Sequence, residues 1–209
     1  GFAAAGMFGS NSAVVPFGHA RWIRLLDAKD ADGRHRGALG ALAMHYAGPF
    51  AGSAWGFFGV TNRDLFAPGD SAMERLFVAA VDALVRRTFL HGLATEWACY
   101  RAGEAVKAGV TVVNNGSQPQ RVRVRFAIEG VPETREVDGG ELAPGKNARL
   151  ESEWPAFPFG KDLYRVTATL LRDGKPADTM ETGFVAWDPK VVAAGPRLSR
   201  RLSSPQRLG

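Results

Sequence analysis

Arg121-Val122-Arg123-Val124-Arg125-Phe126-Ala127-Ile128 and Tyr164-Arg165-Val166-Thr167-Ala168-Thr169-Leu170-Leu171 are the stretches that decide the fold. In the first, Val122, Val124, Phe126 and Ile128 alternate with Arg121, Arg123, Arg125 and Ala127. In the second, Tyr164, Val166, Ala168 and Leu170 alternate with Arg165, Thr167, Thr169 and Leu171. Successive side chains of a strand point to opposite faces, so each stretch has one apolar face and one polar or mixed face. The same reading extends from about residue 104 to 187. Strands are expected at 95–101, 105–113, 120–129, 134–137, 148–153, 163–172 and 178–186. Between them stand Asn114-Asn115-Gly116-Ser117, Asp138-Gly139-Gly140, Pro144-Gly145 and Asp173-Gly174, all turn-forming. Asn115-Gly116 suits a primed hairpin turn. Short strands at this spacing predict an immunoglobulin-like or fibronectin III-like β-sandwich.

Upstream the period changes. Residues 1–19 are rich in Gly, Ala and Ser and read as loop. Strands are expected at 21–28, 37–46 and 53–60, joined by Asp30-Ala31-Asp32-Gly33 and broken at Gly48-Pro49, which makes an antiparallel meander. After Pro68-Gly69, Ser71-Ala72-Met73-Glu74 fits a capping box, in which hydroxyl and carboxylate each satisfy an orphan backbone N–H. Met73, Leu76, Phe77, Ala80, Val81, Leu84 and Val85 then recur at helical spacing, and Gly92 is a good stop. The expected fold class is an α+β N-terminal part, a meander (20–60) plus one amphipathic helix (71–91), followed by an all-β sandwich. The expected organisation is a partial α/β or α+β segment at 1–92, the sandwich at 93–189 and a disordered basic tail at 190–209.

With 45% hydrophobic and 22% charged residues, the chain has material for a real core. The net charge of +5 suggests nucleic acid, but Arg197, Arg200, Arg201 and Arg207 lie in a tail without acids. The rest is nearly neutral, which argues against a nucleic-acid partner. No run is long enough to span a bilayer, and the start lacks the basic n-region of a signal peptide. The single cysteine, Cys99, allows no internal disulfide or cysteine-built zinc site, and reads as a small buried strand residue.

No stretch carries a convincing active site, metal site or cofactor motif. Asp30-Ala31-Asp32-Gly33 lacks the flanking acids of a calcium loop, holding Ala28 and Leu39 there instead. Ser53 lacks the two flanking glycines of a nucleophile elbow. His19, His35, His45 and His91 show no metal-ligand spacing, and His45 reads as a core or edge residue. Glu96, Glu104, Glu151 and Glu153 could supply a glycosidase's paired carboxylates only if the fold brought two together. Two surfaces remain as candidates. Arg121, Arg123 and Arg125 put three guanidinium groups on one strand face, suited to an acidic polysaccharide or acidic domain, or to a plain solvent face. Trp154-Pro155-Ala156-Phe157-Pro158-Phe159 offers Trp154, Phe157 and Phe159 as exposed sugar-stacking rings, or as a plug against a neighbouring domain.

Three stretches carry a resemblance. They are Arg21-Trp22-Ile23-Arg24-Leu25-Leu26 through His45-Tyr46-Ala47-Gly48-Pro49-Phe50 and Ser53-Ala54-Trp55-Gly56-Phe57-Phe58-Gly59; the sandwich opening at Val110-Thr111-Val112-Val113-Asn114-Asn115-Gly116 and closing at Gly183-Phe184-Val185-Ala186-Trp187-Asp188; and the linker from Pro189 to Pro196. Their order resembles the non-catalytic region of large bacterial glycoside hydrolases of the β-galactosidase type. There the end of a glutamine-amidotransferase-like domain leads into an immunoglobulin-like sandwich beside a (β/α)₈ barrel. No stretch matches a barrel strand bearing a catalytic acid. The resemblance implies an accessory region that positions neighbouring domains of the same polypeptide, as in a truncated or partial gene product. A carbohydrate-binding or adhesion module, with polysaccharide as partner, is the alternative.

Overall fold

The computed structural model describes residues 19–59 and 71–187. Residues 1–18 of the loop expected at 1–19, Pro68-Gly69, the linker from Pro189 and the basic tail lie outside the described residues, as does the Ser71 side chain of the expected capping box. The chain is mostly β. Strands β1 (Ala20–Lys29), β2 (His35–His45) and β3 (Ala54–Phe58) pair antiparallel in that order, as the expected meander. The turn between β1 and β2 closes as its sequence dictates. Asp30 Oδ1 accepts the backbone N–H groups of Asp32 and Arg34 at 3.0 and 2.8 Å, and Gly33 has φ 76°.

Helix α1 (Ser71–Arg86) follows. It stops before the expected Gly92, and residues 88–91, expected as its last turn, are strand. The stop is Arg87, in the left-handed region at φ 50°, whose N–H still donates to the Ala83 carbonyl at 2.9 Å. β-branched Thr88 and aromatic Phe89 then start β4 (Thr88–Thr95). Gly92, at φ 63°, falls where the pairing register shifts between His91 and Ala94, so it marks a bulge. The expected apolar helix face is also only partly used. Ala80, Ala83 and Leu84 pack on the sheet, whereas Val81 and Val85 are exposed.

The remaining strands are β5 (Cys99–Arg101), β6 (Val106–Asn114), β7 (Gln120–Ile128), β8 (Arg135–Leu142), β9 (Lys146–Trp154), β10 (Leu163–Arg172) and β11 (Lys175–Trp187). They form a sheet ordered β4-β6-β9 facing one ordered β5-β11-β10-β7-β8, a β-sandwich. Pairing is antiparallel except between β5 and β11. The alternating rows meet in its core. Val124 lies opposite Leu170, Phe126 opposite Ala168 and Ile128 opposite Val166, all almost fully buried. Pairing a large ring with a small methyl keeps the layer evenly filled. Asp173 and Gly174, at φ 50° and 75°, make the two-residue primed turn between β10 and β11.

Both cores share β4 and β6. Leu90 and Val112 point into the sandwich, while Phe89 and Val113 join Leu42, Met44 and Ala80 under the helix. Asn115-Gly116 is not the expected hairpin turn, because β6 and β7 lie in different sheets. The turn docks against the end of α1 instead. Asn115 N–H donates to the Arg87 carbonyl at 2.9 Å, and Asn115 Nδ2 donates to the His45 carbonyl at 2.9 Å. A Cβ at position 116 would press into the Arg86 carbonyl oxygen. Gly116→Ala should therefore cost about 1–3 kcal/mol, read as a lower urea midpoint at unchanged m-value. A midpoint equal to wild type would show that the helix end yields freely.

Candidate functional site

The surfaces expected from the sequence are placed differently. Trp154 is 1% exposed, with its indole N–H donating to the Glu133 carbonyl at 3.2 Å. Phe159 is 7% exposed, and Phe157 packs edge-on to both Phe159 and Tyr164. These rings therefore line the sandwich core and present no stacking row. Strand β9 alternates, which puts Trp154 in phase with buried Leu150. Arg121, Arg123 and Arg125 do share one exposed face, but β8 runs beside them with acids in register. Arg121 and Arg123 reach Asp138 at 3.1 and 3.5 Å, and Arg125 reaches Glu136 at 2.7 Å. The Gly140 N–H bond, and then the Arg121 and Arg123 guanidinium groups, hold the Asp138 carboxyl below its usual range. The ladder is thus largely neutralised by its own sheet. Cys99, expected buried, is exposed on edge strand β5.

On the outer face of β4, β6 and β9, Glu96 and Glu153 flank Lys107 at 3.9 and 3.7 Å, and Glu151 faces Arg149 at 3.4 Å. These carboxylates are held in ion pairs on an open sheet face.

The densest polar arrangement lies where the meander meets the sandwich. The bulge between Leu170 and Leu171 leaves Asp178 opposite Leu170, on the core-facing row of β11. Its side chain reaches across the gap to β4. Asp178 Oδ2 accepts the Leu90 N–H at 2.7 Å, and Oδ1 accepts its neighbour Thr179 N–H at 2.8 Å. Arg21, from β1, completes the arrangement. Its Nη1 donates to the Leu90 carbonyl at 2.6 Å and to Asp178 Oδ2, and its Nη2 donates to Asp178 Oδ1 and the Thr179 carbonyl, both at 2.8 Å. The paired side chains are 8% and 9% exposed. Sequence reasoning missed this pair, although Arg21 falls in phase with Ile23 on an apolar strand face, which marks an arginine with a buried partner.

Beside this network opens a cavity of about 540 Å³ between β4, β11 and the end of β2, lined by His91, Leu93, Arg165, Met180, Glu181 and Thr182, among others. Tyr46 stacks on His91 with centroids 4.1 Å apart and planes 7° from parallel. Burial, then the nearby Arg149 and Arg21 charges, push the His91 pKa down.

A second imidazole, His45, is 9% exposed and sits between Trp55 and Phe50, at 4.7 and 5.6 Å. Neither ring nitrogen has a hydrogen-bond partner among the described residues. Burial, then His19, lower its pKa.

No family model matches the chain, and no curated protein matches it. Among solved structures, the alkylpurine DNA glycosylase of Pseudomonas fluorescens bound to DNA is 16% identical at a TM-score of 0.39, over 60% of this chain and 36% of that one. The CARDB domain of a Pyrococcus furiosus protein in complex with di-metal ions is 17% identical at 0.38, over 48% of this chain and 87% of that domain. A β-glucosidase from Erythrobacter marinus is 16% identical at 0.35, over 48% of this chain and 16% of that one. The chain thus spans about a third of the glycosylase. At these scores the likenesses carry no argument about activity.

Asp178→Ala should lower the unfolding free energy by about 3–5 kcal/mol, because it leaves the buried Arg21 charge unpaired. Arg125→Gln on the exposed ladder should cost under about 1 kcal/mol. Urea titrations of both variants check the contrast, and equal losses would refute it.

Stability should also fall on acidification. The unfolded His45 titrates near 6.5. Its folded pKa is lower, so the unfolded chain takes up the proton first. The stability is therefore full above about 6.5 and is lost as pH drops toward the folded pKa, with His91 acting in the same sense. His45→Phe should show a shallower loss between about pH 7 and pH 5. Identical pH profiles for variant and wild type would remove His45 as a cause.

Proposed function

We propose that the chain is a non-catalytic connector, in which an immunoglobulin-like sandwich and a helix-backed three-stranded sheet act as one rigid body. In this reading it is an accessory region of a carbohydrate-degrading protein of the glycoside-hydrolase type and holds neighbouring domains of the same polypeptide in fixed relation. The observation that carries the reading is the Arg21–Asp178 network. A flexible tether between two units needs no buried ion pair, whereas a spacer of fixed geometry does need its joint locked. The network joins residues 157 positions apart and ties backbone of β4 and β11 to a side chain of β1.

Two exposed apolar faces support the same reading. On α1, Val78, Val81 and Val85 are 61%, 41% and 67% exposed. On the outer face of β10, β11 and β5, Leu163, Val185 and Cys99 form one cross-strand row beside Trp97 and Trp187. Gathered apolar residues of this kind mark contact surfaces, and neighbouring domains of the same protein are the partners this reading assigns to them.

Native-state hydrogen exchange tests the connector role. The slowest amides of β1 and β10 should open with the same free energy in the wild-type chain. In Asp178→Ala, β1 should exchange faster than β10. Independent opening of β1 in the wild type would show a hinged pair of units and defeat the reading. The purified chain should also leave aryl glycosides uncleaved. Turnover abolished by a single carboxylate substitution would make it an enzyme.

A further inference from the structure

We propose that the open edge of β11 at Glu181 and Gly183, one wall of the cavity between meander and sandwich, takes up an acidic, extended segment of a partner protein as an added strand. The inference goes beyond the connector role and rests on the backbone of that wall. Residues of β11 alternate between its two edges. Val185 donates its N–H to the Ala98 carbonyl at 2.9 Å, on the β5 side, and Ala186 donates to the Asp162 carbonyl at 2.8 Å, on the β10 side. Gly183, Glu181 and Thr179 share the phase of Val185, so their N–H and C=O groups turn away from β10. Two further contacts fix this phase. The carbonyl of Arg165, opposite Gly183, accepts the Glu129 N–H at 2.9 Å and so points away from β11, and the Thr179 carbonyl accepts Arg21 Nη2.

The edge is closed at both ends. β5 pairs with Val185, Ala186 and Trp187, and Arg21 occupies the carbonyl of Thr179. Between them, the N–H and C=O groups of Glu181 and Gly183 have no hydrogen-bond partner among the described residues. Both residues are exposed. β4 lines the facing wall with His91, Gly92 and Leu93, but it belongs to the other sheet and leaves a space of about 540 Å³ between. Donors and acceptors that alternate at strand spacing along an open edge are complementary to another extended backbone. The short gap admits a few residues of such a strand and no more.

Charge selects the side chain that the segment brings. The lining holds Arg21 and Arg165 against one carboxylate, Glu181. On the outer face Arg165 stands opposite Gly183, which has no side chain to cover it, but it already lies 3.7 Å from Glu181 and 4.0 Å from Glu129. The inner side, toward His91, is the more cationic. Asp178 matches Arg21 behind the wall, yet the charges felt at the His91 ring are those of Arg149 and Arg21, which add to burial in lowering its pKa. An inward-facing carboxylate on the added strand is attracted by both guanidinium groups, and the imidazole offers it an N–H.

The test is a ¹⁵N–¹H NMR titration of the whole chain with the peptide acetyl-Thr-Val-Glu-Val-Thr-amide and with its Gln and Lys versions at the Glu position. The Glu peptide should give saturable downfield shifts and slowed exchange at the Glu181 and Gly183 amides, which gain acceptors. It should bind about tenfold more tightly than the Gln peptide, and the Lys peptide should bind more weakly than both. N-methylation of both Val amides, or instead of the Glu and final Thr amides, should abolish binding in one pattern alone, since only alternate amides face β11. Glu181→Pro removes an edge donor, spares the ladder to β10, and should weaken the Glu peptide about tenfold or more. The proposal is overturned if no peptide gives saturable shifts, if the Gln or Lys peptide binds as tightly as the Glu peptide, if the two methylation patterns act equally, or if Glu181→Pro binds undiminished. It is also overturned if both amides shift with protein concentration alone, which makes a second copy of this chain the occupant. None of these outcomes bears on whether β1 and β10 open together, so the connector reading is judged separately.

Discussion

The Arg21 guanidinium meets backbone from two sheets and a carboxylate from the inward row of a strand. Leu90 lies on β4, an edge strand whose outward N–H and C=O would otherwise face a gap between the two sheets of the sandwich. Asp178 takes the N–H and Arg21 takes the C=O. Two side chains thus do at that position what a further strand would do along the whole edge. The ion pair costs desolvation, and hydrophobic residues of the same shape can serve stability equally well. What they could not do is satisfy those backbone groups and orient β1 at the same time.

The rest of the meander follows from that anchor. With β1 fixed over Leu90, Leu42 and Met44 of β2 face Phe89 and Val113, and α1 closes the layer through Ala80 and Leu84. The loop from β2 to β3 is then pinned at three points. Arg87 Nη1 donates to the Gly52 carbonyl at 3.1 Å, Asn115 Nδ2 to His45, and the Tyr46 N–H to the His19 carbonyl at 3.0 Å. This places Tyr46 against His91 and sets the mouth of the cavity.

Much of the sandwich was legible because its information is local. The period of β7 and β10 and the turn at Asp173-Gly174 each lie within about ten residues. What sequence reasoning missed depends on partners far along the chain. The Arg ladder has acids only because β8 lies beside it, and Trp154 is core only because β9 faces the other sheet. The helix end was misplaced because a non-glycine residue, Arg87, adopts the left-handed conformation, whereas the visible glycine serves a bulge. The junction left one readable trace, an arginine in phase with apolar neighbours on β1. Asp178 left a similar one, sharing the inward row of Met180 and Phe184.

The parallel pairing of β5 with β11 has a mechanical meaning. Val185, Ala186 and Trp187 pair with Cys99, Tyr100 and Arg101 in the same direction. Tension entering ahead of β5 and leaving after Trp187 would pull the two strands in opposite senses along their length. Their hydrogen bonds would then be loaded together in shear, whereas an antiparallel hairpin pulled from its open end loses its bonds one at a time. In the connector role proposed above, three residues of β5, set in the direction that makes their bonds act at once, would resist such a pull.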